Sequence, residues 1–116
     1  MTSPVRCLGL AEQVAQKIHA CTAPTATGRA RDILDVLVID LLGQLDYART
    51  AEAARLVFEE RATHPFPLEF AVPAAWRPEL AALAAELGFP LTDSSSLERR
   101  FLEIISLLGG AKSPDA

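Results

Sequence analysis

The chain has no surplus of positive charge and no hydrophobic run long enough to cross a bilayer. Its 116 residues carry 11 basic and 15 acidic side chains, which gives a net charge of −4. Proteins that bind nucleic acid non-specifically need surplus lysine and arginine to contact the phosphate backbone. We therefore expect neither a general nucleic-acid binder nor a membrane protein, although a local basic patch is compatible with RNA binding.

Cysteine is scarce as well, because Cys7 and Cys21 are the only two. The N-terminus lacks a basic region followed by an apolar stretch, so we expect a cytoplasmic protein with reduced thiols. His19 and His64 do not stand at the paired spacing with these cysteines that zinc sites use. The sequence therefore predicts no metal site.

Several catalytic motifs are absent from the sequence. It contains no Gly-x-Ser-x-Gly, no glycine-rich phosphate loop and no His-Glu-x-x-His. It also contains no Gly-Ser followed by Asp-x-Asp. Without such clustered acids, these residues have no obvious place for the Mg²⁺ that nucleotidyl transfer needs.

Half of the residues are apolar, and their helical spacing predicts an all-α bundle of about five helices. We expect one helical domain over residues 1–110, a flexible tail over 111–116 and a possible short N-terminal strand at Val5–Leu8. The second helix, apolar on nearly every side, should be buried; a buried strand is the alternative, but its length favours a helix. The predicted helices are Leu10–Cys21, Arg29–Leu42, Thr50–Arg61, Ala75–Leu87 and Ser95–Leu108.

Helix-end signals refine these bounds. Thr50 is a good N-cap for the third helix, and Ser95 with Glu98 matches a capping box for the fifth. Gly109 is expected to end that last helix. Arg100, with the arginine before it, is expected to face solvent, and contact with an acidic partner is the alternative.

The most informative charges are Lys17 in the first helix and Asp32 and Asp35 in the second. Lys17 shares a face with apolar residues, so it either extends past the core edge into water or meets a carboxylate in a cleft. The two acids either interact favourably with the helix dipole and pair with Arg29 and Arg31, or they lie at the rim of that cleft. We expect one arginine to pair with an aspartate and the other to face outward.

Three separated segments resemble the AbiEii/AbiGii-type nucleotidyltransferase toxin family. Leu10–Ala20 is similar to the family's Lys-Leu-His-Ala helix. Arg29–Leu37 is similar to the family's Arg-x-Lys-Asp-Leu-x-Asp-Leu motif. Phe58–Pro67 contains a Thr-His-Pro sequence, which follows a helix in members of the family. The likeness covers about Val5–Phe89.

The resemblance implies roles for individual residues. Lys17 corresponds to the active-site lysine that contacts a nucleoside triphosphate, and Asp32 to the active-site aspartate. Arg31 replaces the more usual lysine before that aspartate, and Asp35 matches a second, more structural acid. Arg29 and Arg31 would assist in binding phosphates or RNA. Members transfer a nucleotide to a target, sometimes the acceptor end of transfer RNA, as toxins of toxin–antitoxin or phage-defence pairs.

The sequence departs from the family pattern in one respect. Members begin with an α/β half that carries Gly-Ser and Asp-x-Asp, whereas this sequence begins just before the strand-like Val5–Leu8. The resemblance thus implies the C-terminal helical part, inactive alone, which would use a nucleoside triphosphate and Mg²⁺ only when completed by a separate half. The alternatives are a non-catalytic module that binds a toxin or antitoxin, and an enzyme whose start lies upstream.

Overall fold

A computed structural model describes residues 9–23, 28–61, 66–67 and 70–111. In these residues it contains five α-helices and no strand, as the sequence predicts. The predicted strand at Val5–Leu8 and the tail at 112–116 lie outside the described residues. The helices are α1 Leu10–Cys21, α2 Ala30–Leu41, α3 Tyr47–Arg61, α4 Arg77–Leu87 and α5 Ser94–Ala111.

Helix α1 is the centre of the packing at one end of the bundle, where it contacts both α2 and α3. Its bounds agree with the sequence prediction. Glu12 accepts a hydrogen bond from the Gly9 backbone N–H at 3.1 Å. At the other end, the Thr22 hydroxyl donates to the Ile18 carbonyl at 2.7 Å. Both ends of α1 are thus closed by side chains close in sequence, which is why its length was predictable.

Helix α2 is less buried than its composition suggests. Its first turns supply the core with Ile33 and Leu34, which have no exposed surface. The end of α2 is more exposed to solvent, since Leu41 and the adjacent Leu42 are 52% and 62% exposed. The expectation that the whole helix is buried was therefore wrong for its last turn. Gly43 follows in a left-handed conformation (φ 72°), which explains why the helix ends there.

The start of α3 differs from the prediction. Asp46, not Thr50, caps this helix, and its carboxylate accepts the Arg49 backbone N–H at 3.0 Å. Thr50 lies inside the first turns and has no exposed surface. The helix thus begins one turn earlier than expected, because Asp46 is an equally good capping residue. Phe58 contributes to the core from the inward face of α3.

The start of α5 was also predicted wrongly. Asp93 is the capping residue and accepts the Ser96 backbone N–H at 2.9 Å. Glu98 does not close a capping box. Its carboxylate instead accepts the Val72 backbone N–H at 2.8 Å and forms an ion pair with Arg77. Glu98 therefore attaches the segment before α4 to α5.

The end of α5 extends past the predicted stop, because Gly109 lies within the helix and not after it. Helix α4 starts at Arg77, preceded by a 3₁₀ turn at Ala74–Trp76. Trp76 is buried and anchors this region to the core. No helix in the described part of the chain is both long and apolar enough to cross a membrane.

Arg100 does not face solvent. Its guanidinium donates from Nε and one Nη to Asp40 Oδ2 in α2, at 3.0 and 2.7 Å. Asp40 also accepts the Tyr47 hydroxyl at 2.7 Å. One carboxylate therefore joins α2, α3 and α5. Burial, followed by the hydrogen bond to Asp40, raises the pKa of Tyr47 to about 12.

Tyr47 is the only tyrosine, so absorbance at 295 nm reports its titration directly. We expect a midpoint near 12 in the folded protein and near 10 after denaturation. Because the folded pKa is the higher one, the stabilisation is complete below about pH 10 and is lost as the pH rises towards 12. Asp40→Asn should lower the folded midpoint. A midpoint near 10 in folded wild-type protein would contradict the hydrogen bond.

Candidate functional site

Lys17 lies at the contact between α1 and the first turns of α2. Its Nζ donates a hydrogen bond to Asp35 Oδ2 at 3.0 Å, and Asp32 Oδ1 is 3.8 Å away. The Lys17 side chain is 32% exposed, and that of Asp32 is 16% exposed. The cleft arrangement predicted from the sequence is present, but the hydrogen bond goes to Asp35 and not to Asp32.

Both arginines beside these acids form ion pairs, as the first of the two alternatives predicts, although Arg31 is 66% exposed. Arg29 Nη1 is 3.4 Å from Asp32 Oδ2, and Arg31 Nε is 3.6 Å from Asp35 Oδ1. These spacings of three and four residues place each pair on one face of α2. The two arginine side chains remain at least half exposed. The five predicted residues thus form one continuous network with three cations and two carboxylates.

A pocket of about 350 Å³ opens on one side of this network. Its wall is built from α1, the start of α2 and the last residue of α3. Three of its lining side chains are cationic and one is a carboxylate; with Asp35, which pairs with Lys17 from outside the lining, one positive charge remains in excess. The lining residues are Gln13, Gln16, Lys17, His19, Ala20, Arg29, Asp32 and Arg61.

Arg61 is a pocket residue that the sequence pattern does not predict. Arg61 ends α3, and helix packing brings it to the same pocket as Lys17. A basic residue in the last turn of a helix is common, because it interacts favourably with the helix dipole. The local sequence pattern does not distinguish Arg61 from an ordinary basic residue at a helix end. The contact of α1 with α3 is what brings it to the pocket.

His19 is a core residue with 8% of its surface exposed. Its ring packs edge-on against Phe58, with ring centroids 4.8 Å apart. Cys21 is fully buried, and its Sγ contacts the Ile18 carbonyl. Within the described residues, no three His, Cys, Asp or Glu side chains come together as metal ligands. Cys7 and His64 lie outside those residues.

Burial raises the pKa of the Cys21 thiol to about 12, and the negative charge of Asp32 adds to the effect. Arg29 and Lys17 act in the opposite direction, but more weakly. Cys21 is therefore a neutral thiol at physiological pH and a poor nucleophile. Its position at the base of the network makes it a probe of whether α1 stays packed against α2.

We expect native Cys21 to resist iodoacetamide at pH 8.5 in a Cys7→Ser background, which leaves Cys21 as the single thiol. Labelling should be slower than in urea-unfolded protein by about two to three orders of magnitude, because the thiolate is rare in the folded state. Burial of the neutral thiol stabilises the fold fully below about pH 9, and this contribution is lost as the pH rises towards 12. Equal labelling rates, measured by mass spectrometry, would contradict this burial.

Residues 1–106 match a family model described as the nucleotidyl transferase AbiEii toxin of a type IV toxin–antitoxin system. No curated protein and no solved structure gives a significant match. The family match spans most of the sequence and includes the Lys17 network and its pocket. The resemblance noted from the three sequence segments is thereby confirmed, and the chain belongs to the AbiEii nucleotidyltransferase toxin family.

Proposed function

We propose that this chain is a cytoplasmic, nucleotide-contacting helical domain of the toxin type, in which Lys17 binds the phosphates of a nucleoside triphosphate. Family membership supports a toxin-like domain and, in general, an antitoxin partner. The observation that carries the proposal is the position of Lys17. Its amine is held by Asp35, remains about one-third exposed, and lines a pocket with surplus positive charge.

The chemistry of the amine fits this role. An ammonium group has three N–H donors, and Asp35 accepts one of them at 3.0 Å. Asp32 lies beyond hydrogen-bond distance, so the remaining donors can reach an anion that enters the pocket. Asp35 then fixes the position of the amine, while Asp32 and Arg29 define the wall beside it. Arg31 would assist in binding phosphate or RNA from the rim.

The described residues do not fit a Mg²⁺ site. Asp32 and Asp35 each face cationic side chains, and no third acidic ligand joins them in the part of the chain that the structure describes. The 116 residues also lack Gly-Ser followed by Asp-x-Asp. We propose that these residues alone do not transfer nucleotides, and that a separate nucleotidyltransferase half supplies the carboxylates for metal binding.

Titration with a nucleoside triphosphate, followed by NMR chemical shifts, tests the proposal. We expect wild-type protein to bind and Lys17→Ala to bind about 10- to 100-fold more weakly, because a hydrogen bond to a charged group is lost. Lys112→Ala is a matched control, since Lys112 is the only other lysine. Shifts at Lys17 and Asp32 that stay unchanged during titration of wild-type protein, even with the nucleotidyltransferase half present, would refute the proposal.

A second candidate is a non-catalytic module that binds a protein partner. It is favoured by the mutual pairing of all five network charges and by the exposed Leu41 and Leu42 at the end of α2. In that case the ion pair only joins α1 to α2, and Lys17→Met with Asp35→Leu should be tolerated within about 1.5 kcal/mol. Chemical denaturation measures this difference. Light scattering after size-exclusion chromatography, with the neighbouring gene products added, would detect the complex.

A further inference from the structure

A second pocket, of about 360 Å³, lies between the start of α1, the loop before α3 and α3 itself. We call it the α1–α3 pocket. Part of its wall is apolar and is formed by Leu10, Leu45, Ala53 and Leu56. Leu56 is 50% exposed although it lies well inside a helix. The α1–α3 pocket shares no lining residue with the pocket that contains Lys17, so it is a separate feature of the surface.

Acidic side chains lie around this apolar wall. Glu12, Asp46 and Glu52 line the pocket, and Arg49 is the one cation among its described lining residues. Arg49 Nε is 3.9 Å from Asp46 Oδ2, which is a loose ion pair between two well-exposed side chains. Glu12 accepts the Gly9 backbone N–H through Oε1 and pairs with no cation of the described chain. Its second oxygen can therefore accept a hydrogen bond from a ligand.

The charges of the pocket and of their ion-pair partners leave a negative excess. Glu52 pairs with Arg55 at 2.7 Å, and Arg55 also pairs with Glu59 at 3.3 Å. Four carboxylates therefore stand against two guanidinium groups, which leaves two negative charges: Glu12, Asp46, Glu52 and Glu59 against Arg49 and Arg55. An incoming group is thus favoured when it is positively charged.

The combination of an apolar wall and excess negative charge selects one class of partner. A protein segment with an aliphatic side chain next to a lysine or arginine can bury the aliphatic group against Leu56 and bring its cation to Glu12. A small inorganic cation would leave the apolar wall uncovered. A second copy of this chain is a poor match, because its own charge is −4 and two copies repel each other.

We propose that the α1–α3 pocket is a docking site for an aliphatic and basic segment of a partner protein. Leu56 provides the apolar contact, and Glu12 provides the charged contact. The inference goes beyond the nucleotide-contacting role of Lys17 and does not depend on it, because the two pockets are built from different residues.

NMR titration of the whole chain with three synthetic eight-residue peptides tests this docking site. The first peptide alternates leucine and arginine, the second serine and arginine, and the third leucine and glutamate. We expect the first to bind with shift changes centred on Glu12, Leu45 and Leu56, and the other two to bind about tenfold more weakly or less. Leu56→Ala should weaken binding of the first peptide by about fivefold, because burial of an aliphatic side chain is lost. Glu12→Gln should weaken it by about threefold and reduce its dependence on salt.

Two control variants match these substitutions. Leu107→Ala removes a leucine of α5 that is 51% exposed, and Glu86→Gln removes one negative charge from an exposed position of α4. Neither residue lines the α1–α3 pocket, so both variants should bind the first peptide like wild type. Lys17→Ala should also bind it like wild type, which separates this inference from the proposed function.

Four outcomes would overturn the inference. Binding that is unchanged in Leu56→Ala, shown to be folded by circular dichroism, would refute the docking site whether or not Lys17 binds a nucleotide. Equal binding of the serine and arginine peptide would show that charge alone attracts the peptides. A molecular mass that doubles with concentration in light scattering, in wild type and Leu107→Ala but not in Leu56→Ala, would assign the pocket to a second copy. No binding of the first peptide at millimolar concentration would also refute the docking site.

Discussion

The hydrogen-bonded ion pair between Lys17 and Asp35 is the interaction on which the site depends. Helices α1 and α2 pack through apolar faces, and each carries charges at the border of its face. A half-buried lysine without a carboxylate partner would be unfavourable, because desolvation of a charge is costly. The pairing at 3.0 Å therefore aligns α1 against α2, and that alignment brings Arg29 and Asp32 to the wall of the pocket.

Carboxylates fix the position of several other elements in the same way. Asp40 in α2 accepts from Tyr47 in α3 and from Arg100 in α5. Glu98 in α5 accepts the Val72 backbone N–H and pairs with Arg77. Hydrogen bonds of this kind contribute modestly to the free energy of unfolding, but they require defined distances and angles. The apolar core holds the helices together, and these carboxylates fix individual side chains and backbone segments where the helices meet.

The sequence was sufficient for features that depend on nearby residues. The all-α class, the bounds of α1 and the end of α2 near Leu42 all follow from periodicity and local helix-end signals. Predictions were wrong where two residues offered the same local chemistry. Asp46 caps α3 in place of Thr50, and Asp93 caps α5 in place of Ser95; only the packing of each helix selects between them.

The site was predictable in part for a related reason. The charges of Lys17, Asp32 and Asp35 interrupt apolar faces, and this pattern predicts a shared cleft. Which acid accepts the hydrogen bond depends on the rotation of α1 against α2, and the sequence does not encode that rotation locally. Arg61 and the Asp40–Arg100 pair join segments that are far apart in sequence, so tertiary packing alone reveals them.

The most direct test of the account is a crystal structure of the chain with a non-hydrolysable nucleoside triphosphate analogue. The account predicts phosphate oxygens within hydrogen-bond distance of Lys17 Nζ, with Asp35 still bound to Lys17. A ligand bound at another surface, or a pocket closed by apolar side chains with Lys17 facing away from Asp35, would contradict it.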